Sequence, residues 1–158
     1  MAIETKLAIT IRRPRLEIAD IMFDPLLAPA WMGDVMYTEV ATDGVVPPGG
    51  TFEWVRMLAG NELTEAVEVL ERTPQVSVVW RAEGGLRTTL RFTLEGIPEG
   101  AVVRVWSRIE PSGFWYLLWP FLPSMLRRGL TRDLRDLKQL MESGDYKTWW
   151  LENGSVTA

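Results

Sequence analysis

Residues 86–110 read LRTTLRFTLEGIPEGAVVRVWSRIE. Leu86, Thr88, Leu90, Phe92 and Leu94 fall on one side of a two-residue repeat, and Arg87, Arg91 and Glu95 fall on the other. After Gly96–Gly100 the alternation resumes, with Val103, Val105, Ser107 and Ile109 opposed to Arg104, Trp106 and Arg108. A two-residue period marks a strand with one buried and one solvated face. Two such runs joined by a short Gly- and Pro-bearing connection predict an antiparallel hairpin.

Working backward, the same grammar yields strands over Val35–Thr42, Thr51–Leu58, Leu63–Thr73 and Val76–Ala82, before Leu86–Glu95 and Ala101–Glu110. The connections Asp43–Gly50, Ala59–Glu62, Pro74-Gln75, Glu83–Gly85 and Gly96–Gly100 carry Gly, Asn or Pro. At the N-terminus Leu7, Ile9 and Ile11 alternate with polar residues, which adds a leading strand. Pro14 then opens a helical spacing of Leu16, Ile18, Ala19, Ile21 and Met22, and Asp24-Pro25 caps a second short helix that ends near Gly33. Past Gly113 the period changes: Leu122, Leu126, Leu130, Leu134, Leu137 and Met141 recur every three or four residues. Arg127, Arg128, Arg132, Asp133, Arg135, Asp136 and Lys138 fill the remaining faces, so a long amphipathic helix is expected, closed by Gly144. The order is α+β: strand, two short helices, a six-stranded antiparallel meander and a long C-terminal helix. Residues 1–144 are read as one domain and 145–158 as a tail.

The 158 residues are 47% hydrophobic and 24% charged, enough apolar surface for a core and too much for a disordered chain. A net charge of −4 argues against a nucleic-acid partner. There is no Cys and no His. Disulfides, thiolate metal sites and every Ser-His-Asp or Cys-His arrangement are therefore excluded. Neither a metal nor another cofactor is expected. No signal peptide is visible, and the longest apolar run, Phe114–Pro123, is short of the roughly 20 residues that span a bilayer. A cytoplasmic protein without stable membrane insertion is the expectation.

Alternation assigns the inner face of a sheet curved around the long helix. Phe52, Trp54, Arg56 and Leu58 point inward from one strand, and Leu63, Glu65, Val67 and Val69 from the next. The opposite parity of these two strands carries Val55, Met57 and Leu70 and stays open. Counting across Ala59–Glu62 sets Leu58 opposite Leu63, Arg56 opposite Glu65 and Trp54 opposite Val67; onward, Trp80 falls beside Val67, Thr88 beside Trp80, and Ile109 beside Thr88. A second layer runs Phe52, Val69, Val78, Leu90 and Ser107. Two readings follow: a cavity walled by large flat side chains, or a solid core made of the same residues.

The chain resembles the START-like helix-grip superfamily, in particular its bacterial polyketide cyclase/dehydrase and lipid-transport branch. The resemblance rests on Ile11-Arg12-Arg13-Pro14 leading to Ile21-Met22-Phe23-Asp24-Pro25 and Trp31, on Pro48–Trp54, on Val69–Pro74 and on Leu130–Leu140, and covers residues 3 to 142. It implies a seven-stranded antiparallel sheet gripping the last helix around a deep cavity. Members include aromatases and cyclases acting on poly-β-ketone chains, lipid and hormone binders, and chaperone-associated modules, so it implies no single activity.

On this reading the protein binds a hydrophobic small molecule, aromatic, polyketide-like or lipid-like, either as a cyclase/dehydrase-like enzyme or as a non-catalytic carrier or sensor. Arg56 and Glu65 are the catalytic candidates, the Arg holding a ketone or enolate oxygen and the Glu moving a proton. Their competing role is an ion pair at the cavity mouth. Phe52, Trp54, Val67, Trp80, Thr88, Leu90, Phe92, Ser107, Tyr116, Trp119 and Leu126 are the candidate ligand contacts. Tyr37 and Glu39 are weaker acid/base candidates. Arg81, Arg87, Arg91, Arg104 and Arg108, interleaved with Glu68, Glu83, Glu95 and Glu110, read as a solvated face of cross-strand pairs. Phe114–Pro123 reads as a cap on the cavity, with a membrane or partner contact as its alternative. Trp149 and Trp150 pack the tail on the domain or on a neighbouring subunit, which leaves a homodimer open.

Overall fold

The computed structural model describes residues 2–41, 46–84 and 86–153. Seven antiparallel strands form one sheet: β1 (Ile3–Ile11), β2 (Val35–Glu39), β3 (Thr51–Leu58), β4 (Asn61–Thr73), β5 (Ser77–Glu83), β6 (Leu86–Ile97) and β7 (Gly100–Pro111). Their spatial order is β1-β7-β6-β5-β4-β3-β2, so the meander runs unbroken and the first strand returns to lie beside the last. Between β1 and β2 come α1 (Arg15–Met22), a 3₁₀ turn at Pro25–Leu27 and α2 (Ala28–Trp31). The Asp24 side chain accepts from the Leu26 N–H at 3.0 Å, the cap expected of Asp before Pro. A 3₁₀ helix over Gly113–Leu118 leads into α3 (Leu122–Ser143), which ends on Gly144 at φ 88°. The positive φ lets the Gly144 N–H close on the Met141 carbonyl. The helix-grip architecture is thus present.

The inner face has the expected parity throughout. Phe52, Trp54, Arg56 and Leu58 are buried, as are Glu65, Val67 and Val69. The register, however, is two residues tighter at the β3–β4 hairpin: Leu58 pairs with Asn61, Arg56 with Leu63, Trp54 with Glu65 and Phe52 with Val67. The loop there is only Ala59-Gly60, at φ 50° and 78°, a two-residue turn with both residues left-handed. Alanine rarely takes that conformation, which is why residue types alone favour a four-residue loop. The next two hairpins, each set by its own turn, also pair two residues away from the expected register, so Trp80 lies beside Val69 and Leu90, while Thr88 lies beside Ala82; the pairs Thr88 with Ile109 and Leu90 with Ser107 stand as expected. A bulge between Val69 and Glu71 turns the end of β4.

One strand end also differs. β2 ends at Glu39, short of the expected strand, whose last residue Thr42 lies outside the described residues. Within the tail, Tyr146–Asn153 forms α4, and Tyr146 is buried, its hydroxyl donating to Glu17 Oε2 at 2.7 Å. Trp149 is part-exposed, and the Trp150 side chain and residues 154–158 lie outside the described residues. On the outer face of the sheet, Arg81 meets Glu68 and Glu83, Arg87 meets Glu83, Arg104 meets Glu95, and Arg108 meets Glu4 and Glu110. Trp106 lies under the Arg91 guanidinium, 5.7 Å from its ring centre.

Candidate functional site

Where a cavity wall of aromatic rings was one expectation, the structure has a packed cluster. Phe52, Trp54, Trp80, Phe92 and Trp31 meet edge-to-face in a chain, with ring centres 5.3–6.2 Å apart. Phe52, Trp54, Val67, Trp80 and Phe92 are all buried in that core, and none of them lines the pocket described next. The solid-core reading holds for this half of the inner face.

The other half opens into a pocket of about 540 Å³ between the sheet and the first half of α3. Its sheet wall is Arg56 to Leu58 at the end of β3 with Ala59 of the following turn, Thr88 and Leu90 on β6, and Ser107 and Ile109 on β7. Met32, Asp34 and Val35 close one side, and Leu126, Leu130 and Asp133 form the helix wall. Of the residues singled out in the sequence, Arg56, Thr88, Leu90, Ser107 and Leu126 therefore come together here. Tyr116 and Trp119 do not: they stack on each other in the segment before α3, ring centres 6.5 Å apart, and Tyr116 is half exposed. Tyr37 is also half exposed and Glu39 is exposed, and neither lines the pocket.

Arg56 and Glu65 are joined, though by a diagonal rather than a direct cross-strand contact. Glu65 is 0% exposed and its Oε1 accepts two hydrogen bonds, from Arg56 Nε at 2.6 Å and from Trp54 Nε1 at 2.9 Å. The guanidinium also lies 5.6 Å from the Trp54 ring centre. A charged pair withdrawn from water is held together by geometry of this quality, and loss of one partner leaves the other buried and uncompensated. Arg56 lines the pocket and Glu65 does not. Gly84 shapes this arrangement, since a Cβ there would lie 2.8 Å from Glu65 Cγ.

Three buried polar atoms of this cluster have no hydrogen-bond partner among the described residues: Arg56 Nη2, Thr88 Oγ1 and Glu65 Oε2. Leaving a buried donor unpaired costs about 1–3 kcal/mol. Arg56 and Thr88 both belong to the mostly apolar wall of the pocket, and these two atoms lie closed to solvent just behind its surface without a protein acceptor.

Asp133 is a pocket residue that the helical pattern assigned to a solvated face. It is buried instead, and its Oδ1 accepts from the Gly33 N–H at 3.0 Å and from Arg132 Nη2 at 3.4 Å. Arg132 also donates to Asp34 Oδ1 at 2.9 Å. Burial pushes the Asp133 carboxyl up from 3.8 to about 6, against the lowering pull of the Gly33 N–H and the Arg132 charge. Only the position of Gly33, in the turn after α2, signals this role, and that turn is distant in sequence.

Over residues 2–142 the sequence matches a family described as polyketide cyclase / dehydrase and lipid transport. The chain belongs to that family. Among solved structures, this member of the polyketide cyclase/dehydrase and lipid-transport family is similar in fold to a protein from Thermus thermophilus, with TM-score 0.72, 17% identity, and coverage of 91% of this chain and 99% of that one. A START superfamily protein from Mycobacterium smegmatis gives a TM-score of 0.70 at 12% identity, over 90% of this chain and 97% of that one. A protein of unknown function from Staphylococcus aureus gives 0.72 at 9% identity, over 92% and 97%. No curated protein matches the sequence. Among the described residues no helix is long and apolar enough to cross a membrane, and no group of three His, Cys, Asp or Glu is placed to hold a metal ion.

Proposed function

We propose that the pocket binds a hydrophobic small molecule carrying a carbonyl or enolate oxygen, and that the protein acts on it by acid/base chemistry of the cyclase/dehydrase kind. The observation that carries this reading is the pair of unpartnered donors, Arg56 Nη2 and Thr88 Oγ1, in an otherwise apolar wall. An oxygen acceptor on the ligand would pair with either donor once that side chain turns into the cavity. An aldol closure needs a base to take an α-proton and a cation to hold the resulting enolate oxygen. The loss of water that follows needs a proton delivered to the departing hydroxyl. Arg56 supplies the cation. Asp133, on the facing wall and titrating near neutrality, is the proton carrier. Glu65 is a positioning group that fixes the Arg56 guanidinium.

A second reading is a carrier for a lipid-like or aromatic molecule. It is favoured by the apolar residues Leu58, Leu90, Ile109, Leu126 and Leu130, which make up much of the wall. Native mass spectrometry of freshly purified protein, with extraction of whatever co-purifies, tests the shared claim; protein recovered without ligand and failing to bind β-diketone or fatty-acid probes would refute it. Arg56→Met should weaken binding of an oxygenated probe by tenfold or more, a charge-assisted hydrogen bond being worth about 1.5–3 kcal/mol. Asp133→Asn should abolish turnover of a β-diketone and leave its affinity within a few-fold. Tight binding with no turnover by the native protein would select the carrier.

A further inference from the structure

The segment between β7 and α3 carries four exposed large hydrophobic side chains within eight residues. Phe114, Tyr116, Leu117 and Phe121 are 55%, 53%, 75% and 70% exposed, and they lie close together in the chain. Trp115 turns inward instead, packing with Ile3, Leu58, Leu86, Ile109, Leu122 and Leu126. This buried anchor fixes the 3₁₀ helix and leaves its neighbours facing outward. Contiguous exposed aromatic and aliphatic side chains of this kind mark a surface that meets something apolar.

Charge identifies what it meets. The chain as a whole is −4, yet residues 111–132 contain Arg127, Arg128 and Arg132 and no Asp or Glu. Arg127 and Arg128 are exposed on the first turns of α3 and make no ion pair among the described residues, whereas Arg132 is engaged by Asp34. Aromatic and leucine side chains flanked by arginines are the chemistry that seats a protein on an anionic lipid surface, rings among the acyl chains and guanidinium groups among the phosphates. The patch is also continuous with the pocket: Pro120, Phe121 and Arg128 belong to both.

We infer that Phe114–Phe121, together with Arg127 and Arg128, docks this protein peripherally on an anionic membrane, with the pocket mouth against the bilayer. A hydrophobic molecule would then pass between bilayer and pocket without crossing water; this consequence, unlike the docking itself, rests on the ligand reading above.

Co-sedimentation with phosphatidylcholine vesicles and with mixed phosphatidylcholine/phosphatidylglycerol vesicles tests the docking. Binding to the mixed vesicles, weakened by salt, is expected to fall tenfold or more in the triple variant Phe114→Ser, Leu117→Ser, Phe121→Ser. A similar loss is expected in the double variant Arg127→Gln, Arg128→Gln. All the altered side chains are exposed, and an unchanged circular-dichroism melt verifies the fold. Absence of binding to the mixed vesicles, equal binding to neutral ones, or indifference to both variants would overturn the inference. So would light scattering that reports a dimer dissociated by the triple variant, because the patch would then serve a second copy of the chain.

Discussion

Asp133 is where a single residue has most to say. Its folded pKa of about 6 lies above the ordinary 3.8. Between those values the folded chain keeps a proton that the unfolded chain has released, so Asp133 favours the fold at acid pH. That contribution is lost as pH rises through about 6. At 1.36 kcal/mol per unit, roughly 3 kcal/mol of stability is at stake between about pH 4 and pH 7. Asp133→Asn keeps an acceptor for the Gly33 N–H and removes the titration. The variant should be more stable than the native protein at pH 8 by about 1–2 kcal/mol, after losing the Arg132 contact, and nearly equal to it at about pH 4. Urea denaturation at the two pH values checks this. The sequence concealed the role, because a charged residue in an amphipathic repeat is ordinarily solvated and its Gly33 partner lies a hundred residues away in the turn after α2. Arg56 and Glu65 were legible for the opposite reason: alternation assigns every residue of a strand to a face, and two charges on an apolar face are conspicuous.

At the scale of elements, the hairpin between β3 and β4 sets the geometry of the pocket's polar corner. Its Ala59-Gly60 turn places Arg56 one step from direct opposition to Glu65, and that diagonal lets Trp54 and Arg56 share one carboxylate oxygen. Alanine at φ 50° costs about 1–2 kcal/mol that Asn largely avoids. Ala59→Asn should therefore raise stability by roughly 0.5–1 kcal/mol, as thermal melts would report. Strand identities and faces were readable from periodicity because the side-chain repeat of a sheet is two residues. Register was not, since a two-residue and a four-residue loop give the same faces and differ only in a backbone conformation that Ala seldom adopts. How tightly the inner face is filled was equally invisible: Trp54, Trp80 and Phe92 close one half by edge-to-face packing, while Leu90, Ser107 and Ile109 leave the other half open.

Taken as a whole, the molecule keeps its pocket and its C-terminal helix on different stretches of the fold. The pocket lies against the first half of α3, whereas α4 attaches near α1, through Tyr146 on Glu17 and the Arg13 guanidinium 5.9 Å from the Tyr146 ring centre. Arg13 also donates to the Met141 and Glu142 carbonyls, so the end of α3 is tied to the body without α4. A chain ended after Gly144 is expected to fold, with a loss of about 2–3 kcal/mol for the removed Tyr146 packing, and to retain ligand affinity. A truncated chain that fails to melt cooperatively would show that the domain extends through α4.

The return of β1 to the side of β7 governs the order in which this chain can assemble. Ile3 finds its partner in Ile109 and Ile11 in Ala101, while every other pairing joins strands adjacent in sequence. On the ribosome, the hairpins of β2 through β7 can close as they emerge, but the first strand waits unpaired until the seventh has been made. The long helix leans on β1, its Lys138 Nζ donating to the Thr10 carbonyl at 2.6 Å. Closure of the sheet and seating of the helix are thus late, coupled events, and the pocket comes into existence only with them.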